Sequence, residues 1–246
     1  MTGILSSTFG TFISTAPTNI IVTERAKVQI KTAGTNNLNS GAISMTAGRI
    51  YLVMLAWDPS GSSVPTVTLA DTANTYTQLD SIYAAPSTTS AGTGVLQQIF
   101  TTTAGATATR TITATFSASI TAKTMVVLEL QNATLTQRST RTQARGTGTA
   151  ISYTGPATVA DTDLVFTMVG WESPTAISSG STSTAGGTWS AVSQINTSGG
   201  TANTNIGIAY QTKIITAAGA QTIAWTTGAT PNNWGSRTFV LQRSGA

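Results

Sequence analysis

Leu52-Val53-Met54-Leu55-Ala56-Trp57-Asp58, the end of an apolar run that begins at Ile50, returns 114 residues later as Phe166-Thr167-Met168-Val169-Gly170-Trp171-Glu172. Each run closes on a tryptophan followed by a carboxylate. Neither reaches the roughly 18 apolar residues that cross a bilayer, and each reads as a short β-strand buried on both faces. Other landmarks keep the same order. Arg25 and Arg138 are 113 apart, as are Asn74-Thr75-Tyr76-Thr77 and Gly187-Thr188-Trp189-Ser190. Ala104-Gly105-Ala106 matches Ala218-Gly219-Ala220 at 114, and Val127–Gln131 matches Thr238–Gln242 at 111. Ordered landmarks at nearly constant spacing are the mark of an internal duplication.

The expected organisation is an extended N-terminal arm (residues 1–20) followed by two tandem modules, 21–132 and 133–246. Modules of this length suit a β-sandwich of jelly-roll or immunoglobulin-like kind. From Thr107 to Ile120 the chain alternates strictly. Ile112, Ala114, Phe116, Ala118 and Ile120 fall on one face with Ala108 and Arg110, and Thr or Ser occupies every position of the other. Period two is the pattern of a half-buried strand, and Arg110 is expected at the rim of its sheet. Turn clusters separate the strands, and no amphipathic run of helical period survives the Gly and Thr content. The fold class is therefore all-β.

Composition narrows the chemistry. Charged residues make up 8% of the 246, and hydroxyl replaces them, with 51 Thr and 25 Ser. An ordinary domain is about 25% charged. There is no Cys and no His, which removes disulfides, thiol nucleophiles, thiolate metal sites and the usual general base. No serine has a partner to activate it, and no spacing among the eight acidic residues suggests the paired carboxylates of a glycosidase. The expectation is no enzyme, no cofactor and no metal. Calcium through Asp71, Asn74 and Asp80, or through Asp161 and Asp163, is weaker than turn capping by these aspartates.

Arg138, Arg141 and Arg145 form a basic cluster without interleaved aromatics, read as a solvated edge rather than a contact for nucleic acid. The repeated Trp-acid pairs are read as core tryptophans beside strand-end acids, with stacking on a sugar as the functional alternative. Trp189, Trp225 and Trp234 concentrate in the second module. Trp234 follows Pro231-Asn232-Asn233, so Asn232, Asn233 and Trp234 are the candidate loop contacts for a partner or glycan. Met1 to Ile20 has no basic residue before an apolar core and no small-residue cleavage site, so the usual secretory route is not expected.

The buried strand ending in Trp57-Asp58, the segment Val67–Asp71 leading to Asn74–Thr77, and the closing strand Met125–Leu130 carry a resemblance. The second copy answers with Leu164–Glu172, Thr188–Ser190 and Thr238–Gln242. Together they resemble the tandem Thr/Ser/Gly-rich β-sandwich modules of tailed-bacteriophage virion proteins. The resemblance implies a non-enzymatic virion structural protein, released by lysis, with other virion proteins and copies of itself as partners. A capsid decoration protein is the first expectation, since no coiled-coil or collagen-like shaft is present. In that role the arm would dock on the lattice with Phe9 and Phe12 as apolar plugs. A tail-fibre or baseplate module binding host surface glycan is the alternative. No specific nucleic acid and no membrane are expected as partners.

Overall fold

In the computed structural model, residues 19–32, 35–59, 64–90, 93–137, 141–158, 163–183, 186–199, 204–228 and 233–244 are described. Phe9, Phe12, Asn232, Arg138 and Asp161 lie outside them. The first half contributes nine strands: β1 (Ile21–Lys31), β2 (Asn37–Met45), β3 (Ile50–Trp57), β4 (Val67–Ala70), β5 (Thr77–Gln78), β6 (Tyr83–Ser90), β7 (Thr93–Thr103), β8 (Ala108–Phe116) and β9 (Ala122–Gln131). The second contributes β10 (Ala133–Gln137), β11 (Thr142–Gly146), β12 (Ala150–Thr158), β13 (Leu164–Glu172), β14 (Ile177–Ser179), β15 (Ser193–Asn196), β16 (Ile206–Ile214), β17 (Gly219–Thr227) and β18 (Trp234–Arg243).

Each half is an antiparallel sandwich. The large sheet of the first runs β1-β9-β3-β7-β5 with β6 also on β7, and its small sheet runs β2-β8-β4. The second repeats the plan as β10-β18-β13-β16-β15 with β11 also on β18, beside β12-β17-β14. The registers match as well. Val53 pairs with Val127 and Thr167 with Thr238 in equivalent ladders. One expected correspondence is displaced. Ile50 pairs with Thr103 and Leu164 with Ile214, so the turn beginning at Ala104 is answered by Ile215, not by Ala218. Hydrogen bonds agree: Ala104 N donates to Arg49 O and Ile215 N to Asp163 O. The ladder decides the register, and Ala-Gly-Ala is too generic a turn to track it.

The two large sheets then pack on each other, which makes four stacked sheets. Strand alternation sorts every side chain of β3 and β13 between two cores. Tyr51, Val53, Leu55 and Trp57 enter the first sandwich with Phe100, Ile112 and Phe116. Ile50, Leu52, Met54 and Ala56 point the other way, into a core shared with Leu164, Phe166, Met168, Ile208, Phe239 and Leu241 of the second half. Val165, Val169 and Trp171 fill the second sandwich with Ile151, Ile223 and Trp225. Both strands are buried along their whole length for this reason.

Polar detail fixes the stacking. Gln97 on β7 lies between Val95 and Ile99 on the shared face and is fully buried, and its Nε2 donates to Gly235 O at 2.9 Å. Gly170 and Gly235 are cross-strand partners, and a Cβ on either would meet the Gln97 side chain at 2.8 or 2.5 Å. The pair of glycines is the socket for this side chain. Gly207 serves Trp171 in the same way, since a Cβ there would lie 2.2 Å from the indole. The ring is fully buried and its Nε1 donates to Thr175 O at 2.8 Å, so it has no room to retreat. Gly207→Ala is expected to lower stability by about 1–3 kcal/mol through overpacking, read as a fall of about 2–12 °C in Tm. An unchanged Tm would show that the indole can shift.

Candidate functional site

Charged side chains join the two halves at the rim of the shared core. At one end, β11 and β18 of the second module grip the Asp80–Ala84 segment of the first. Arg141 Nη1 lies 2.6 Å from Asp80 Oδ1, and Arg237 Nη1 lies 3.5 Å from Oδ2. Arg237 Nη2 donates to Ser81 O at 2.8 Å, with its guanidinium 4.7 Å from the Tyr83 ring centroid. Arg145 sits 5.3 Å from the same centroid and donates to Ala84 O at 2.9 Å. Burial lowers the affinity of the Arg237 guanidinium for its proton, and the Asp80 carboxylate opposes this. Arg141 and Arg145 thus keep the solvent-facing edge position expected of them and also contact the first module. Their targets, Asp80 for Arg141 and the Tyr83–Ala84 segment for Arg145, lie about sixty residues away in sequence and give no local signal.

Along the opposite edge, β1 meets β15 and β16. Ser193 Oγ and Tyr210 OH donate to Glu24, the latter at 3.0 Å, and Lys27 Nζ donates to Ser193 Oγ at 3.0 Å. Burial pushes the Glu24 carboxyl up, but the hydrogen bonds from Ser193 and Tyr210 together with the Lys27 ammonium outweigh it and hold it below its usual range. Lys31 Nζ donates to Asn205 Oδ1 at 2.6 Å.

The acids of the two Trp-acid pairs come together. Asp58 and Glu172 continue the shared-core phase of Ile50–Ala56 and Leu164–Gly170, and they are 6% and 0% exposed. Asn233 Nδ2 donates to Glu172 Oε2 at 2.6 Å, whereas Glu172 Oε1 and Asp58 Oδ1 have no hydrogen-bond partner among the described residues. Burial raises the Asp58 carboxyl to about 7, the Glu172 carboxylate adds to the shift, and Lys31 opposes it. Burial raises Glu172 as well, against its hydrogen bond from Asn233. Sequence spacing showed no carboxylate pair. The signal that finds it is the duplication itself, because equivalent positions of two copies packed through the same face can meet.

The tryptophans are mostly structural. Trp57, Trp171 and Trp225 are buried in the two sandwich cores. Trp234 is a correction: it opens β18, pairs with Trp171 and is 7% exposed, so it is a core residue rather than a loop contact. Asn233 is equally buried and serves Glu172. The alternation Trp234, Ser236, Thr238, Val240 already carries that reading, since it puts Trp234 in phase with the core residue Val240. Trp189 borders an open cleft.

Aspartate 71 accepts from Ala73 N, Asn74 N, Asn74 Nδ2 and Tyr76 OH at 2.6 to 2.9 Å, a saturated turn cap. Among the described residues no three or more Asp and Glu side chains converge on a point that could hold a metal ion. Comparison with protein-family models, with curated proteins and with solved structures returned no match.

Proposed function

We propose that this chain is a non-enzymatic structural protein of a bacteriophage virion, and that it decorates the capsid surface. The observation that supports this reading is the charge distribution of the stacked sheets. The outward face of β2-β8-β4 carries exposed Asn37, Asn39, Ser44, Thr68, Thr109, Thr111 and Thr115. That of β12-β17-β14 carries exposed Ser152, Thr154, Ser178, Thr222 and Thr226. No charged side chain stands on either face; Arg110 of β8 is half-buried on the inward phase and reaches Thr72. The molecule is a slab with two neutral, hydroxylated faces, and the shared core keeps them at a fixed separation. A slab of this kind suits a bridge between neighbouring subunits, where contact rests on shape and neutral hydrogen bonds.

The test is reassembly on particles that lack the protein. Retention is expected to be equal at low ionic strength and in about 1 M NaCl, where the screening length falls to about 3 Å. Release by moderate salt overturns the neutral-face contact. Deleting residues 1–18 is expected to abolish retention, and unchanged binding would remove the anchoring role from the arm. Hundreds of copies per particle fit decoration, whereas a handful would place the chain in the tail.

A further inference from the structure

The two copies of the module differ at one corner, and the second copy carries an open cleft there. In the first, the loop before β5 is packed with polar side chains. Asn74 Oδ1 accepts from the turn amide of Gly105 at 3.1 Å, and Asn74 Nδ2 and Tyr76 OH both donate to Asp71. The equivalent positions in the second copy are Gly187 for Asn74, Trp189 for Tyr76 and Thr216 for Gly105. There the turn amide of Thr216 donates to the backbone oxygen of Gly186 at 2.9 Å, so no side chain is needed to satisfy it.

That exchange depends on two glycines. Gly186 and Gly187 have φ of +70° and +131°, and a Cβ on them would lie 2.7 Å from Ala217 O and 2.2 Å from Ile214 O. No other residue lets the loop backbone come this close. Glycine at 187 puts no side chain where Asn74 stands in the first copy. The corner holds an open cleft of about 600 Å³ whose lining includes Asn19, Thr188, Trp189, Ser190, Thr212 and Thr216.

The lining chemistry selects a ligand class. Among the described residues, five hydroxyl or amide side chains and Ile214 line the cleft beside one indole, and none of the lining side chains is ionisable. Lys213 lies behind it, 1% exposed, 5.4 Å from the Trp189 ring centroid, with its Nζ donating to Ser183 O. Trp189 is 8% exposed, and its Nε1 is a buried donor without a hydrogen-bond partner among the described residues. An anion finds no exposed cation here, and an apolar ligand would bury the hydroxyls unpaired. A neutral sugar matches both halves of the surface, since its hydroxyls meet Thr and Ser while its C–H groups meet the indole. We propose that the Trp189 cleft of the second module is a binding site for a neutral saccharide. The proposal stands independently of a place on a capsid.

The experiment is a titration of the full-length ¹⁵N-labelled protein with methyl glycosides of glucose, galactose, mannose and N-acetylglucosamine, and with maltose, cellobiose and lactose. At least one is expected to produce saturable shifts confined to the amides of Gly187–Ser190 and Thr212–Thr216. Thr188→Arg and Thr216→Arg place bulk at two exposed lining positions without touching a core, and each is expected to weaken binding at least tenfold. Thr111→Arg, on the outer face of the first module, is expected to leave binding unchanged. Absence of saturable shifts with every sugar up to its solubility limit overturns the proposal. So do shifts centred elsewhere, binding indifferent to both cleft variants, or binding restricted to sulfated or sialylated sugars run in parallel.

Discussion

Asp80→Ala is expected to destabilise the protein by about 3–5 kcal/mol, the cost of leaving a buried charge without its partner. The side chains of Asp80 and Arg237 are each 1% exposed. With the carboxylate gone, Arg237 keeps only the Ser81 carbonyl and the Tyr83 ring, and it cannot reach water without opening the shared core. For a chain of this length the loss corresponds to a fall of about 6–20 °C in Tm. Two further variants identify the cause. Arg141→Ala removes the shorter contact to the same carboxylate, yet that side chain is 38% exposed, so it is expected to cost no more than about 1 kcal/mol. Asp80→Ala combined with Arg237→Met replaces the ion pair by apolar bulk and is expected to recover more than half of the loss. Calorimetry reads all three. If the double variant is no more stable than Asp80→Ala alone, the buried charge is not the cause. Because the shared core belongs to both modules, each variant is expected to unfold in one transition rather than two.

The second large effect concerns pH. Asp58 titrates near 7 in the fold, above the unfolded value of about 3.9, because burial and the neighbouring Glu172 disfavour its charged form. The folded chain therefore holds a proton that the unfolded chain has lost. Its contribution to stability is fully present below about pH 4 and disappears as the pH rises through about 7. Within that window stability falls by at most about 1.4 kcal/mol per pH unit from this group. Glu172, also raised by burial, adds in the same direction. Glu24 and Asp71 are held low and act in the opposite sense, since their stabilisation is lost as the pH drops through their folded values. Measured between pH 5 and 8, where those two stay ionised, Tm of the wild type is expected to fall with rising pH. Asp58→Asn is expected to flatten the profile and to raise Tm at pH 8. A wild-type Tm that climbs over this range, or an unchanged slope in Asp58→Asn, would contradict the assignment.

The strands were legible from local pattern alone. The alternation through Thr107–Ile120 becomes β8, with Ile112, Ala114 and Phe116 inward and Thr111 and Thr115 outward. Arg110 stands near its start, half-buried, as the break in the apolar phase suggested. The candidate site was far less legible. Trp234 looked like a loop anchor because Pro231-Asn232-Asn233 precedes it, yet strand phase and pairing to Trp171 carry it inside. Arg141 keeps its solvent-facing edge, but nothing near it in sequence is acidic, and its partner lies across the module boundary.

The amino-acid sequence by itself determined that this protein is all-β, that it is duplicated, and that β3 and β13 are buried on both faces. These follow from side-chain periodicity and self-similarity, which are properties of the chain read locally. Only the tertiary structure decided what the second face of those strands is for. Leu52, Met54, Phe166 and Met168 meet in one core shared by both modules, and the acids that end the two strands are carried into the same interface. The physical reason is that an apolar face specifies burial without naming its partner. The partner is chosen by shape at particular points, such as Gln97 in the Gly170–Gly235 socket, and by charges that find each other only once the sheets are stacked.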